Sequence, residues 1–107
     1  MDMANHHRIR LRGHWQKTTL ESGGCILMRR FGQPRTLDTG EQAWLISEGL
    51  PSSCKISVNG VSVGEATTQG FQFDITHLLH IRNELALEFA IDAELDEVFM
   101  EFRTAES

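Results

Sequence analysis

The chain has 107 residues, of which 40% are hydrophobic and 23% charged, with a formal net charge of −5. That length suits one domain with one buried core, and the composition excludes a disordered chain, which would be poorer in apolar residues and richer in charge. No apolar run approaches the roughly 18 residues that a membrane-spanning helix needs.

The charge is unevenly placed. Residues 1–35 carry seven basic side chains (Arg8, Arg10, Arg12, Lys17, Arg29, Arg30, Arg35) against Asp2 and Glu21, a net +5, while residues 36–107 carry three against thirteen acidic ones, a net −10. The two parts attract each other. Arg8, Arg10 and Arg12 alternate with Ile9 and Leu11, the period of a strand with its basic side chains on one face. With an acidic chain and no interleaved aromatics, their expected partners are carboxylates of the same fold and not a nucleic acid. Cys25 and Cys54 are the only cysteines and form no C-x-x-C pair. The opening residues show no charged stretch followed by an apolar one, so a cytoplasmic protein with two reduced, buried thiols is expected.

In chain order, Met1–Asn5 reads as loose, and strand-like runs follow at Arg8–Arg12, Cys25–Phe31, Gln42–Ser47, Lys55–Val58, Phe71–Ile75, Glu84–Ile91 and Val98–Phe102. Glu84–Ile91 would bury Leu85, Leu87, Phe89 and Ile91 and leave Glu84, Glu88 and Asp92 in water. In Val98–Phe102 the apolar Val98, Met100 and Phe102 oppose Phe99, Glu101 and Arg103. Between the runs lie turn signals at Ser22-Gly23-Gly24, Gly32-Gln33-Pro34, Thr39-Gly40, Gly49-Leu50-Pro51, Asn59-Gly60 and Gln69-Gly70. Asn59-Gly60, flanked by Val58 and Val61, predicts a two-residue hairpin turn with positive φ at both positions. Asp74 or Thr76 can cap one short helical turn near 76–80, with Leu78 and Leu79 plugging an end of the fold. Seven or eight short strands cannot bury their apolar faces alone, so the expected class is all-β: an antiparallel β-sandwich of two packed sheets. The first and last strands are expected to be neighbours, because that sets Arg8, Arg10 and Arg12 against Glu97 and Glu101.

The succession Leu11-Arg12-Gly13-His14-Trp15, then Leu45 through Gly49, then Cys54-Lys55-Ile56-Ser57-Val58-Asn59-Gly60-Val61-Ser62-Val63-Gly64, then Phe71-Gln72-Phe73-Asp74-Ile75-Thr76-His77-Leu78-Leu79 and Arg82-Asn83-Glu84-Leu85 resembles the jelly-roll, galactose-binding-like sugar-binding domain of family-2 glycoside hydrolases. The resemblance runs from about Leu11 to Ile91. It implies the sandwich fold and, for Asn59, a place that in some members approaches the sugar. It does not imply catalysis, because the family's catalytic carboxylates belong to a separate barrel that a chain of this length cannot contain. The segment before the Asn-Gly strand is also shorter than is usual in that family.

Other chemistry is thinly represented. His77 and His80 are three residues apart, but two imidazoles do not make a metal site, and His6, His7 and His14 could join them only through folding. Asp92-Ala93-Glu94-Leu95-Asp96-Glu97 offers hard oxygen ligands without the glycine of a tight calcium loop, and reads as an acidic turn. No G-x-S-x-G elbow or Gly-rich phosphate loop occurs. Neither a metal nor a cofactor is expected. Sugar binding calls for an aromatic platform, and Trp15 and Trp44 are the candidates, with Trp44 inside an apolar strand. Phe99 stands on the polar side of the last strand, as a contact surface or under a covering loop. The expected function is a non-catalytic carbohydrate-binding-like module with Trp15 and Asn59 as ligand contacts. The alternative is a structural or protein-interaction module of the same fold, with self-association through the Phe99 face or an open edge strand.

Overall fold

The computed structural model describes residues 7–32, 37, 39–95 and 97–104; the loose segment expected at Met1–Asn5 lies outside them. The strands are β1 His7–Arg10, β2 Gln16–Thr19, β3 Cys25–Gly32, β4 Glu41–Ser47, β5 Cys54–Val58, β6 Val61–Ala66, β7 Phe71–Asp74, β8 Arg82–Phe89 and β9 Phe99–Thr104, with a 3-10 turn at Thr76–Leu78. They form two antiparallel sheets, ordered β1-β9-β4-β7 and β2-β3-β8-β5-β6. The expected all-β sandwich is thus the observed class, with nine strands described in place of seven or eight. The strand that pattern reading missed is β2: Gln16-Lys17-Thr18-Thr19 is exposed throughout, so it has no apolar alternation to reveal it.

Alternation builds the core. Leu85, Leu87 and Phe89 of β8, Cys54, Ile56 and Val58 of β5, Ala43 and Leu45 of β4, and Met100 and Phe102 of β9 all lie in one buried cluster shared by the two sheets. β8 lies at the centre of the five-stranded sheet, paired with β3 along Cys25–Gly32 and with β5 along Cys54–Val58. Ile91 departs from its expected place in this core. β8 ends at Phe89, the period-two register ends with it, and Ile91 is 51% exposed.

The turns carry out what their residues allow. Asn59 and Gly60 adopt φ of 53° and 82° between the paired Val58 and Val61, the mirror-image turn that suits the twist of a hairpin. Gly70, at φ 98°, lets the turn after β6 come down onto the end of β4, where a Cβ would stand 2.1 Å from the Ser47 carbonyl oxygen. At the 3-10 turn, the Asp74 carboxylate accepts from the Thr76 amide and hydroxyl, while Leu78 and Leu79 pack, half-buried, on the core.

Cys25 and Cys54 both sit opposite Phe89, one on each flank of β8. Two inter-strand spacings amount to about 9.5 Å, beyond the roughly 7 Å that a disulfide can bridge, and both are free thiols. Burial pushes the Cys54 thiol up to about 11, so little reactive thiolate exists near neutrality.

Two outcomes follow from this packing. Gly70→Ala should lower stability by about 3 kcal/mol in urea unfolding, since strain and a backbone clash coincide there. Gly40→Ala, also at positive φ but in open space, should cost only about 1 kcal/mol. Native protein should resist a thiol-specific dye, with both cysteines titrating only in denaturant; rapid labelling of Cys54 in the native state would contradict the assigned burial.

Candidate functional site

A depression of about 650 Å³ lies where β3 ends and β8 begins, beside the Asn59-Gly60 hairpin, and is lined by Arg30, Phe31, Gly32, Asn59, Arg82, Asn83 and Glu84. Its frame is a pair of side-chain amides. The Asn59 Nδ2 donates to the Leu78 carbonyl at 2.8 Å and to Asn83 Oδ1 at 3.0 Å, and its Oδ1 accepts from the Glu84 amide at 2.9 Å. Asn83, buried to 3%, accepts from the His80 amide at 2.7 Å and donates to the carbonyls of His80 at 2.9 Å and Phe31 at 3.4 Å. Two asparagines therefore tie together the hairpin, the 3-10 turn and the ends of β3 and β8. Buried amides satisfied on every side fix one arrangement of the chain.

Trp15 is not part of this region. It lies in the β1–β2 connection, half-buried against the core, and its Nε1 donates to the Leu11 carbonyl at 3.1 Å. Arg29 clamps the same connection, donating to the carbonyls of Arg12 at 2.8 Å and Gly13 at 3.0 Å. The structure thus does not bring together the two residues expected to contact a ligand: Asn59 lines the depression and Trp15 does not.

The outward face of the four-stranded sheet is a second ordered region. As expected, β1 pairs with β9, with Arg8 opposite Glu101 and Arg10 opposite Phe99. Glu101 is only 4% exposed; its Oε1 accepts from Arg103 Nε at 2.6 Å and its Oε2 from Arg8 Nε at 3.2 Å and Nη2 at 3.1 Å. Arg8 also reaches Glu48 at 3.3 Å and Arg10 reaches Glu97 at 2.9 Å. Phe99 is half-buried, with the guanidiniums of Arg8 and Arg10 5.0 and 5.5 Å from its ring centre. Arg103 covers Trp44 at 4.3 Å, whose Nε1 is held by Gln42 at 3.0 Å. Ile46 of β4, paired with Phe99 on this outward face, is 1% exposed. The basic face of β1 is consumed by this network, as its strand period implies.

Burial raises the Glu101 pKa, but hydrogen bonds from Arg103 and Arg8 and their charges outweigh it, and the carboxyl ends below its ordinary value. A depressed carboxylate stabilises the fold above the usual carboxylate range, and that contribution is lost as pH falls through its folded pKa.

The other candidates remain apart. His77 and His80 are exposed, and no group of three or more metal-ligating side chains occurs among the described residues. Asp96 and the side chain of His7 lie outside the described residues, as does His6. In the acidic stretch, Asp92 pairs with Lys17 at 2.9 Å and Glu97 with Arg10. No helix among the described residues is long and apolar enough to cross a membrane. What pattern reading did not single out as site residues are Arg30 and Arg82. Arg30 belongs to no motif and Arg82 only opens the Arg82-Asn83-Glu84-Leu85 run, and the β3–β8 register brings them together.

No protein-family profile matches the sequence, and neither does any curated protein. Solved structures do match. A Bacteroides uniformis β-glucuronidase aligns with TM-score 0.77 and 15% identity over 91% of this chain and 18% of its own. A Faecalibacterium prausnitzii β-glucuronidase aligns with TM-score 0.75 and 10% identity over 99% of this chain and 33% of its own. A β-glucuronidase from glycoside hydrolase family 2 aligns with TM-score 0.62 and 19% identity over 75% of this chain and 11% of its own. The likeness is one of fold. It agrees with the resemblance carried by the Asn-Gly hairpin and the Phe-x-Phe-Asp-Ile-Thr strand, and this chain spans between about a tenth and a third of those enzymes' length.

Glu101→Gln should destabilise the protein by about 1.5–3 kcal/mol at neutral pH, the range for a charged hydrogen-bond partner. The gap to wild type should close on acidification, since both proteins then present a neutral group to Arg8 and Arg103. A gap that stayed constant throughout acidification would show that the charge is not what stabilises.

Proposed function

We infer that the chain is a non-catalytic β-sandwich module whose role is structural: a domain-sized unit that packs against other protein surface. The observation that carries this reading is the commitment of the polar atoms at both expected sugar contacts. Asn59 spends its carbonyl oxygen and its amide nitrogen on Glu84, Leu78 and Asn83, and Trp15 spends its indole nitrogen on Leu11. Sugar recognition needs an open aromatic face with free, convergent polar groups. Apolar surface, by contrast, is left open on the two turns that Asn59 ties together, with Ile81 84% and Val61 49% exposed. Such surface suits burial at a protein contact. The small share of the matching β-glucuronidases that the fold occupies supports a role beside other domains, with catalysis elsewhere.

The depression beside Asn59 favours a second reading, carbohydrate binding at that end of the sandwich, in keeping with the family resemblance. Screening the purified chain on a glycan array separates the two. The structural reading expects no glycan bound, and no nitrophenol released from 4-nitrophenyl β-glucuronide or β-galactoside. A glycan held with micromolar affinity would overturn the structural reading in favour of the second, and turnover of either glycoside would overturn both.

A further inference from the structure

We propose that the depression at the ends of β3 and β8 is a binding site for a small oxyanion, with Arg30 and Arg82 as its two arms. The argument begins with which arginines are engaged. Arg8, Arg10, Arg29 and Arg103 each donate to a carboxylate or a backbone carbonyl at 3.3 Å or less. Among the described residues Arg12, Arg30 and Arg82 donate no such bond, and of these three only Arg30 and Arg82 line the depression. Arg30 stands 3.7 Å from Glu84 with 86% of its side chain exposed, and Arg82 pairs with no carboxylate among the described residues. On a chain of net charge −5, Arg82 and the loosely paired Arg30 line one depression together with a single carboxylate, Glu84.

Register explains how they meet. In the β3–β8 ladder Arg30 is opposite Glu84 and Gly32 is opposite Arg82, so the two arginines are diagonal neighbours on the outward face, within reach of one ligand. Gly32 leaves Arg82 without a cross-strand side chain. Among the described residues nothing requires that bareness, because a Cβ at Gly32 would meet only the Ile81 carbonyl oxygen, at 3.7 Å, and its φ is not positive. A notch thus opens beside Arg82 that packing does not explain. The amides of Asn59 and Asn83 hold the walls in place, so a ligand need not order them. A guanidinium presents parallel N–H donors that match two oxygens of a carboxylate, phosphate or sulfate, and two guanidiniums around a bare notch suit a compact anion with three or four oxygens.

The test is an amide-resolved NMR titration of the full chain with inorganic phosphate and with sulfate. Sodium chloride at matched ionic strength and neutral glucose serve as controls. Saturable shifts are expected at Gly32, Asn59, Arg82 and Glu84 with phosphate or sulfate and not with chloride. Arg30→Gln with Arg82→Gln should weaken binding roughly tenfold or more, the loss expected for two charge-assisted contacts, whereas Arg12→Gln should leave it unchanged. Gly32→Val should weaken binding while thermal unfolding and the remaining amide spectrum report an intact fold. Equal shifts with chloride, shifts spread over all the arginines, or undiminished binding in the double variant would overturn the proposal. Glucose shifting the same amides while phosphate does not would also overturn it, and would favour the carbohydrate reading instead.

Discussion

The structure depends on the burial of one face of β8. Leu85, Leu87 and Phe89 are each no more than 1% exposed, and the strand that carries them is hydrogen-bonded on both sides, to β3 and to β5. A one-residue slip would turn that whole apolar set to solvent and bring Glu84 and Glu88 inward. The register is therefore strongly specified, and what lies at either end of β8 inherits it. At one end Phe89 is flanked by Cys25 and Cys54, which are held too far apart to join. At the other, Asn83 is the one buried side-chain amide among the described residues, and Arg82 is delivered to the rim beside Gly32.

Electrostatics supplies a second layer on the opposite sheet. The opening third of the chain is basic and the remainder acidic, and folding places the two in contact. Surface ion pairs such as Arg10–Glu97 contribute little, about 0–1 kcal/mol each. Glu101 differs because it is enclosed: Arg8 and Arg103 approach from two strands, and their guanidiniums lie over Phe99 and Trp44. The arginines thus act as apolar cover as well as charge.

The same logic bears on function. Asn59 belongs to the motif that resembles family-2 glycoside hydrolases, yet its amide holds three pieces of backbone together, a task sufficient to account for its presence. Trp15 likewise closes the β1–β2 connection through Leu11. Among the groups that folding leaves exposed are the guanidiniums of Arg30 and Arg82 and the apolar tips at Ile81 and Val61. These lie at the end of the sandwich where the hairpin and the 80–82 turn meet.

Some of this was legible in the linear sequence. Period-two alternation in 84–89 and 98–102, and the Asn59-Gly60 pair, determined the strands, their buried faces and one hairpin, because alternation and positive φ are local properties. The opposite charges of Arg8, Arg10, Glu97 and Glu101 also pointed to the β1–β9 pairing. Tertiary structure alone decided the rest. Exposed Gln16–Thr19 became a strand only because β3 offered it an edge, and Ile91 fell outside the core because its ladder ended at Phe89. The separation of Trp15 from Asn59 and the meeting of Arg30 with Arg82 depend on chain crossings between residues far apart in sequence. Local pattern carries no information about such crossings, since which strand lies beside which is settled by how two whole sheets close over their shared interior.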